Sequence, residues 1–323
     1  MVRALLALAA AVAVAVVPAE AQEWRGWNTH GAGYPNTVAL DRWAELAAER
    51  SQGRIRMRMF HSAQLGQQDE AIQQLRLGAI DVANFNLTPL NNLVPETQVF
   101  ALPFVFRDVG HLHRVLDGPA GAAVAREIEA KLGMVVLAWF DSGARSVYTR
   151  NRPVRTPEDM RGLKIRVQTS DLFIDMMRAL GANPVPLPFG ELYTALQTGV
   201  VDGAENNWPS YEAQRHFEQA RFYSTTEHSN VPEIVVVNRM RWDRLSPPDR
   251  EILRATAREA AELQRRLWAE RERASREKVI AAGVVVTEIE DRTPFARLME
   301  PLYAKYAATP ALRALLEQIR NTQ

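Results

Sequence analysis

The sequence predicts an α/β protein built as two similar lobes around a cleft, and three observations support that class. Strand-like and helix-like patterns alternate from Glu23 onward with short connections, the pattern of a mostly parallel sheet covered by helices. A twelve-residue block occurs twice: LRLGAIDVANFN (Leu75–Asn86) and LQTGVVDGAENN (Leu196–Asn207) align without a gap at five identical positions. The chain also crosses between its halves twice, around DSGARS and around Val231-Pro232, and two crossings imply a hinge rather than two beads on a string.

The elements follow in order. Residues 1–21 carry a basic residue (Arg3), an uncharged apolar run from Ala4 to Val17 and the small-residue pattern Ala19-Glu20-Ala21. This reads as a secretory leader cleaved before Gln22, the run being shorter than the roughly 20 residues a spanning helix needs. The remainder is expected to be soluble outside the cytoplasm. EWRGW reads as a short strand entering the polar loop NTHGAGYP, and Thr37–Arg50 has helical spacing (Val38, Leu40, Trp43, Leu46, Ala47). After Gly53, RIRMRMF alternates as a strand, Gln67–Leu77 is helical and stops at Gly78, and Ala79–Ala83 starts a new strand.

MVVLAWF is an apolar strand, and Asn151–Pro157 is a surface connection in which Thr156 caps a turn starting at Pro157. GLKIRV is a glycine-led strand that resembles GRIRMRMF and extends the repeat upstream. Polar Glu227–Pro232 feeds the strand Ile234–Val237, and Ser246-Pro247-Pro248-Asp249 starts a helix that continues to Ala282 before Gly283. Its charged stretch ERERASREK reads as a solvated face. The resulting division is 22–144 for lobe I, 145–232 for lobe II, and 233–323 for a return to lobe I, a long interlobe helix and C-terminal helices.

Composition excludes several functions. With 323 residues, 47% hydrophobic and 24% charged, the chain suits a soluble globular protein, and a net charge of +1 gives no nucleic-acid footprint. The absence of cysteine removes thiol nucleophiles, iron–sulfur clusters and cysteine-based zinc sites. Motifs for a nucleophile elbow, a zinc protease or a phosphate-binding loop are missing, and Gly31-Ala32-Gly33 lacks the third glycine of a dinucleotide loop. His111 and His113 point apart on a helix, so neither a metal nor a cofactor is expected.

Two arginines stand out instead. Arg145 follows a hydrophobic strand and Arg166 lies within KIRVQ, and their convergence would clamp a carboxylate bidentately. Asn206, Asn207, Asn28, Asn86 and Gln68 sit at strand ends or in loops facing the cleft, where amides serve hydroxyls. Trp208, Phe189 and Tyr34 offer apolar faces.

The ordered motifs HSAQLG, FALPFVF, DSGARS, GLKIRV and LGANPVPLPFGELYTALQTGVVDGAENN resemble the substrate-binding proteins of tripartite ATP-independent periplasmic (TRAP) transporters across nearly the whole mature chain. The resemblance implies a Venus-flytrap periplasmic binding protein with a β hinge and a long C-terminal helix across both lobes. It further implies closure on an organic acid and delivery to membrane permease subunits driven by an ion gradient, by a periplasmic protein expected to be monomeric. The family's clamping arginine falls on Arg166, its helper on Arg145 and its amide on Asn206, with pocket positions at Asn28, Gln68, Asn86 and Phe189. NTHGAGYP, which contains His30, together with DGAENNWPSY and TEHSNVPE resembles the branch binding hexuronates such as glucuronate and galacturonate. A C4-dicarboxylate or a small hydroxy or keto acid is the alternative ligand. A sugar-acid-processing enzyme outside the cytoplasm is the alternative of a different class.

Overall fold

The structure, a computed structural model, describes residues 23–323; the leader read at 1–21 lies outside the described residues. Eleven strands are found among them: β1 (Trp24–Trp27), β2 (Met57–Phe60), β3 (Val82–Asn86), β4 (Met134–Phe140), β5 (Ala144–Thr149), β6 (Lys164–Val167), β7 (Asn183–Pro186), β8 (Gly203–Asn206), β9 (Phe222–Asn230), β10 (Glu233–Asn238) and β11 (Val285–Thr287). They form one sheet in the order β2-β1-β3-β10-β4 and a second in the order β11-β9-β5-β8-β6-β7. β4 leads through residues 141–143 into β5 of the second sheet, and β9 leads through residues 231–232 back into β10 of the first. Each sheet therefore holds one strand delivered by the crossing from the other, inserted antiparallel to both of its neighbours. The two-lobed α/β architecture expected from the sequence is the observed one.

The repeat is visible in the backbone. Gly78 and Gly199 end their helices at φ +78° and +77°, in the left-handed region that a side chain would strain. Three residues later, Asp81 Oδ2 accepts from Arg25 N at 2.8 Å and Asp202 Oδ2 accepts from Lys164 N at 2.8 Å. Each aspartate thus fastens the incoming strand to the start of its parallel neighbour. One detail of the sequence reading is corrected. GLKIRV (β6) is the counterpart of β1, since each is the central parallel strand, and β2 corresponds to β7. The polar segment Glu227–Asn230, expected as a connection, is the end of β9.

The helix Pro247–Ala281 runs 35 residues, capped by Ser246 Oγ accepting from Asp249 N. Its first half packs Leu253, Ala257, Ala260 and Ala261 into the apolar cluster that contains Trp43 of lobe I. Gln264, fully buried midway, donates to Asn36 Oδ1 and Asp141 O and accepts from Asp141 N, at 2.8–2.9 Å. Farther on, Arg271 and Lys278 both donate to Glu212 of lobe II, and Val279 joins the lobe II cluster. The charged stretch is thus solvated only in part, because its repeat positions meet the acid on the helix Trp208–Ala213.

Candidate ligand-binding site

A cavity of about 590 Å³, including its mouth, lies between the lobes at the carboxyl ends of the parallel strands. The strand ends place its lining: Thr29 and His30 follow β1, Asn86 closes β3, Gln168 and Thr169 follow β6, and Asn206 closes β8. Both crossings contribute as well, through Ser142 and Glu233.

Arg145, on β5, is buried against the fully buried Glu205 of β8. Its Nε donates to Glu205 Oε2 at 2.5 Å and its Nη2 to Oε1 at 2.8 Å, a bidentate pair, with further bonds to Glu205 O and Asn206 Oδ1. Burial alone raises the Glu205 carboxyl, yet the guanidinium and the neighbouring His228 outweigh it and hold the group below its ordinary value. Arg145 therefore reaches the cavity with its charge already balanced.

Arg166, on β6, differs. It is 1% exposed, its Nε and Nη2 both donate to Leu187 O at 2.9 and 2.7 Å, and its Nη1 has no hydrogen-bond partner among the described residues. Burial pushes its guanidinium down to about 10, with Glu205 acting the other way. A buried cation with an idle donor on a cavity wall is the strongest signal in the site, because such a group is costly unless an anion meets it. Phe189 lies beneath it, ring centroid 5.9 Å from Cζ, and is backed edge-on by His216, whose imidazole is driven to about 3 by burial and by Arg166 and is thus neutral.

The opposite wall belongs to lobe I. His30 stacks on Tyr34 at 3.9 Å and approaches Glu233 Oε1 at 3.4 Å, while Asn36 Nδ2 donates to Glu233 Oε2 at 2.8 Å. Gln68 spends its amide on the backbone of Asn86, donating to O at 2.7 Å and accepting from N at 3.2 Å. Hydrogen bonds cross the cleft: Tyr34 to Ser210 at 3.0 Å, Gln168 to Asn86 at 3.2 Å, Thr169 to Asp69 at 3.1 Å. The lobes are closed on one another.

Of the residues singled out in the sequence, Arg145, Arg166, Asn206, Asn207, His30, Gln68, Asn86 and Phe189 line the cavity. Asn28, Tyr34 and Trp208 do not. Asn28 is fully buried behind His30, donating to Thr37 Oγ1 at 2.8 Å and accepting from His30 N at 3.2 Å, so it shapes the loop that presents the imidazole. Trp208 is turned into lobe II and stacked on Tyr223 at 3.5 Å, because it starts a helix whose cap is Asn207, Oδ1 accepting from Ser210 N. Asn207 also ties that helix to the crossing through a 2.8 Å bond to Ser142 O.

Glu233 escaped the sequence reading, as did Gln168, Thr169 and Ser210. The strand register of the structure shows what the repeat alone did not. It sits opposite Asn86 on β3, and Ser146 sits opposite Asn206 on β8, so Arg145 lies opposite Asn207. Asn86 and Asn207 are equivalent in the repeat, and extending the repeat into the crossing strands therefore pairs Glu233 with Arg145.

Residues 28–309 match the family model described as bacterial extracellular solute-binding protein, family 7. A solute-binding protein of Chromohalobacter salexigens is 44% identical over 306 residues, covering 94% of this chain and 91% of the relative. Among solved structures, a TRAP periplasmic solute-binding protein from Roseobacter denitrificans with bound β-D-glucuronate superposes with a TM-score of 0.91 at 50% identity, over 93% of this chain and 100% of that one. Another, from a Bradyrhizobium species in complex with α/β-D-galacturonate, superposes with a TM-score of 0.91 at 46% identity and the same coverage.

Proposed function

The chain belongs to the bacterial extracellular solute-binding proteins of family 7, the binding subunits of TRAP transporters, and on that premise we propose that its ligand is a hexuronate held by Arg166. As a member of that family it captures a solute for membrane permease subunits rather than transforming it.

The observation carrying the ligand reading is the idle Nη1 of a buried guanidinium on the cavity wall. A ligand carboxylate there satisfies the donor and neutralises the charge, and Arg145 stiffens the clamp through Asn206, whose Oδ1 it holds at 3.0 Å. Hydroxyl groups on the sugar then meet His30, Asn86, Gln168 and Glu233, acceptors and donors that a short apolar acid would leave unmatched. Phe189 supplies an apolar face for the ring. The glucuronate and galacturonate held by the two structural neighbours support the same class. The moving bodies in this reading are 22–144 with the return segment after 232, and 145–232, and the protein acts as a periplasmic monomer exported by the leader at 1–21.

Isothermal titration and thermal shift against uronates, aldonates, dicarboxylates and short hydroxy acids test the reading. A ligand at 100 times its Kd adds about 2.7 kcal/mol of apparent stability, a rise of several degrees. Absence of a response to every organic acid would overturn it, and conversion of the ligand on long incubation would favour the enzyme alternative.

A further inference from the structure

We infer that Glu233 makes this site selective for acids carrying one carboxylate and several hydroxyls, accepting hydrogen bonds from the hydroxyls and repelling a second carboxylate. The inference rests on the hexuronate reading and extends it to the discrimination between ligands.

Glu233 is 4% exposed and lines the cavity. No arginine or lysine pairs with it among the described residues; its partners are the neutral amide of Asn36 on Oε2 and His30, at a long 3.4 Å, on Oε1. A carboxylate has about four acceptor sites, so about half of this one's capacity is unused by the protein. The other charges facing the cavity are accounted for. Arg145 is balanced by Glu205, Asp69 is exposed and accepts from Thr169, and Arg166 keeps a single idle nitrogen. One guanidinium therefore matches one ligand carboxylate on lobe II, and an anion waits on lobe I.

That arrangement has a structural origin. Glu233 occupies in lobe I the position that Arg145 occupies in lobe II, at the start of the crossing strand beside the repeated asparagine. The same backbone site carries opposite charge in the two lobes, and because Glu205 balances Arg145, the cleft is polarised by Arg166 on lobe II and Glu233 on lobe I. A ligand with an acid at one end and hydroxyls at the other fits that polarity, whereas a dicarboxylate places like charges together in a desolvated space, where they repel strongly.

The test pairs acids of one carbon skeleton: D-glucuronate against D-glucarate and D-galacturonate against galactarate, titrated calorimetrically into the wild-type protein, Glu233→Gln and Glu233→Asp. The wild type is expected to prefer each uronate by about 100-fold or more. Glu233→Gln keeps the shape and the bond from Asn36; it is expected to weaken uronate binding about tenfold or more and to narrow the preference to within about tenfold, while Glu233→Asp retains it. Melting curves establish that the variants fold, and the wild-type preference needs no variant. Equal wild-type affinity for the two members of a pair, or an equal loss for both in Glu233→Gln, would overturn the inference. Failure of the wild type to bind any sugar acid is a separate result, and it removes the hexuronate reading itself.

Discussion

Replacing Arg166 with methionine should separate affinity from stability. Burial lowers the guanidinium from its ordinary value to about 10, and at 1.36 kcal/mol per unit its charge costs the closed, ligand-free fold roughly 3 kcal/mol. Methionine removes that cost and retains much of the apolar stem. It also leaves Leu187 O without the two bonds it accepts from Nε and Nη2, a loss of about 1–3 kcal/mol. The two effects nearly cancel, so the ligand-free melting temperature should move by no more than a few degrees in either direction. Binding should behave otherwise, because the ligand carboxylate would enter the cleft unpaired. Losing one partner of a buried charge pair costs about 2–5 kcal/mol, which weakens Kd about 30-fold to several thousand-fold. Differential scanning calorimetry without ligand and titration calorimetry with D-glucuronate give the two numbers. A stability loss of about 3–5 kcal/mol with affinity intact is the signature of a structural ion and would refute the assignment.

Glu205→Gln should act in the opposite sense, destabilising the fold by about 3–5 kcal/mol because Arg145 loses its balancing charge in a fully buried setting; a chemical-denaturation midpoint equal to wild type would contradict it. Glu272, beside the crossing, is raised from 4.5 to about 7, first by burial and then by Asp141 and Glu227. The fold binds that proton more tightly than the unfolded chain does, so the associated stability is complete below pH 4.5 and is lost as pH rises through about 7. Glu272→Gln should therefore raise stability by up to roughly 3 kcal/mol at pH 8 and hardly at all at pH 4.5, and equal gains at both values in melting experiments would rule that out.

What could be read from the sequence was whatever a short segment must satisfy by itself. The helix–glycine–strand junctions were legible because the glycine at positive φ and the aspartate that holds the neighbouring strand are both local requirements, met identically at Gly78–Asp81 and Gly199–Asp202. Arg166 stood out only beside Arg145, because a cation in a strand is by itself an ordinary surface residue, as the exposed Arg58 of RIRMRMF is. The place of a strand in its sheet was not legible, since alternation in RIRMRMF and KIRVQ records a face but not a neighbour. Glu227–Asn230 looked like a loop because its residues are polar, yet His228 Nδ1 meets Thr226 Oγ1 and Ser229 Oγ donates to Ala101 O inside the fold. Trp208 was drawn into the expected site by its neighbours in the motif, whereas the helix it begins turns it toward Tyr223.

The same register shows how a repeated scaffold presents unlike groups to the cleft. Trp27 and Arg166 are equivalent, lying opposite Ala83 and Ala204 on the repeated strands, and both donate to the carbonyl at a matching point of the repeat, Gly66 O for the indole and Leu187 O for the guanidinium. An indole has a single N–H, and that bond exhausts it; a guanidinium has five, so the same local bond leaves Nη1 over. At the crossing strands the pair Glu233 and Arg145 repeats the theme with charge instead of donor count. Equivalent backbone positions thus carry a saturated group facing a spare donor, and an anion facing a balanced cation. Two symmetric lobes with symmetric side chains would close equally well on a ligand in either orientation. These two differences remove that degeneracy, and on the proposed reading they direct the carboxylate to lobe II and the hydroxyls to lobe I.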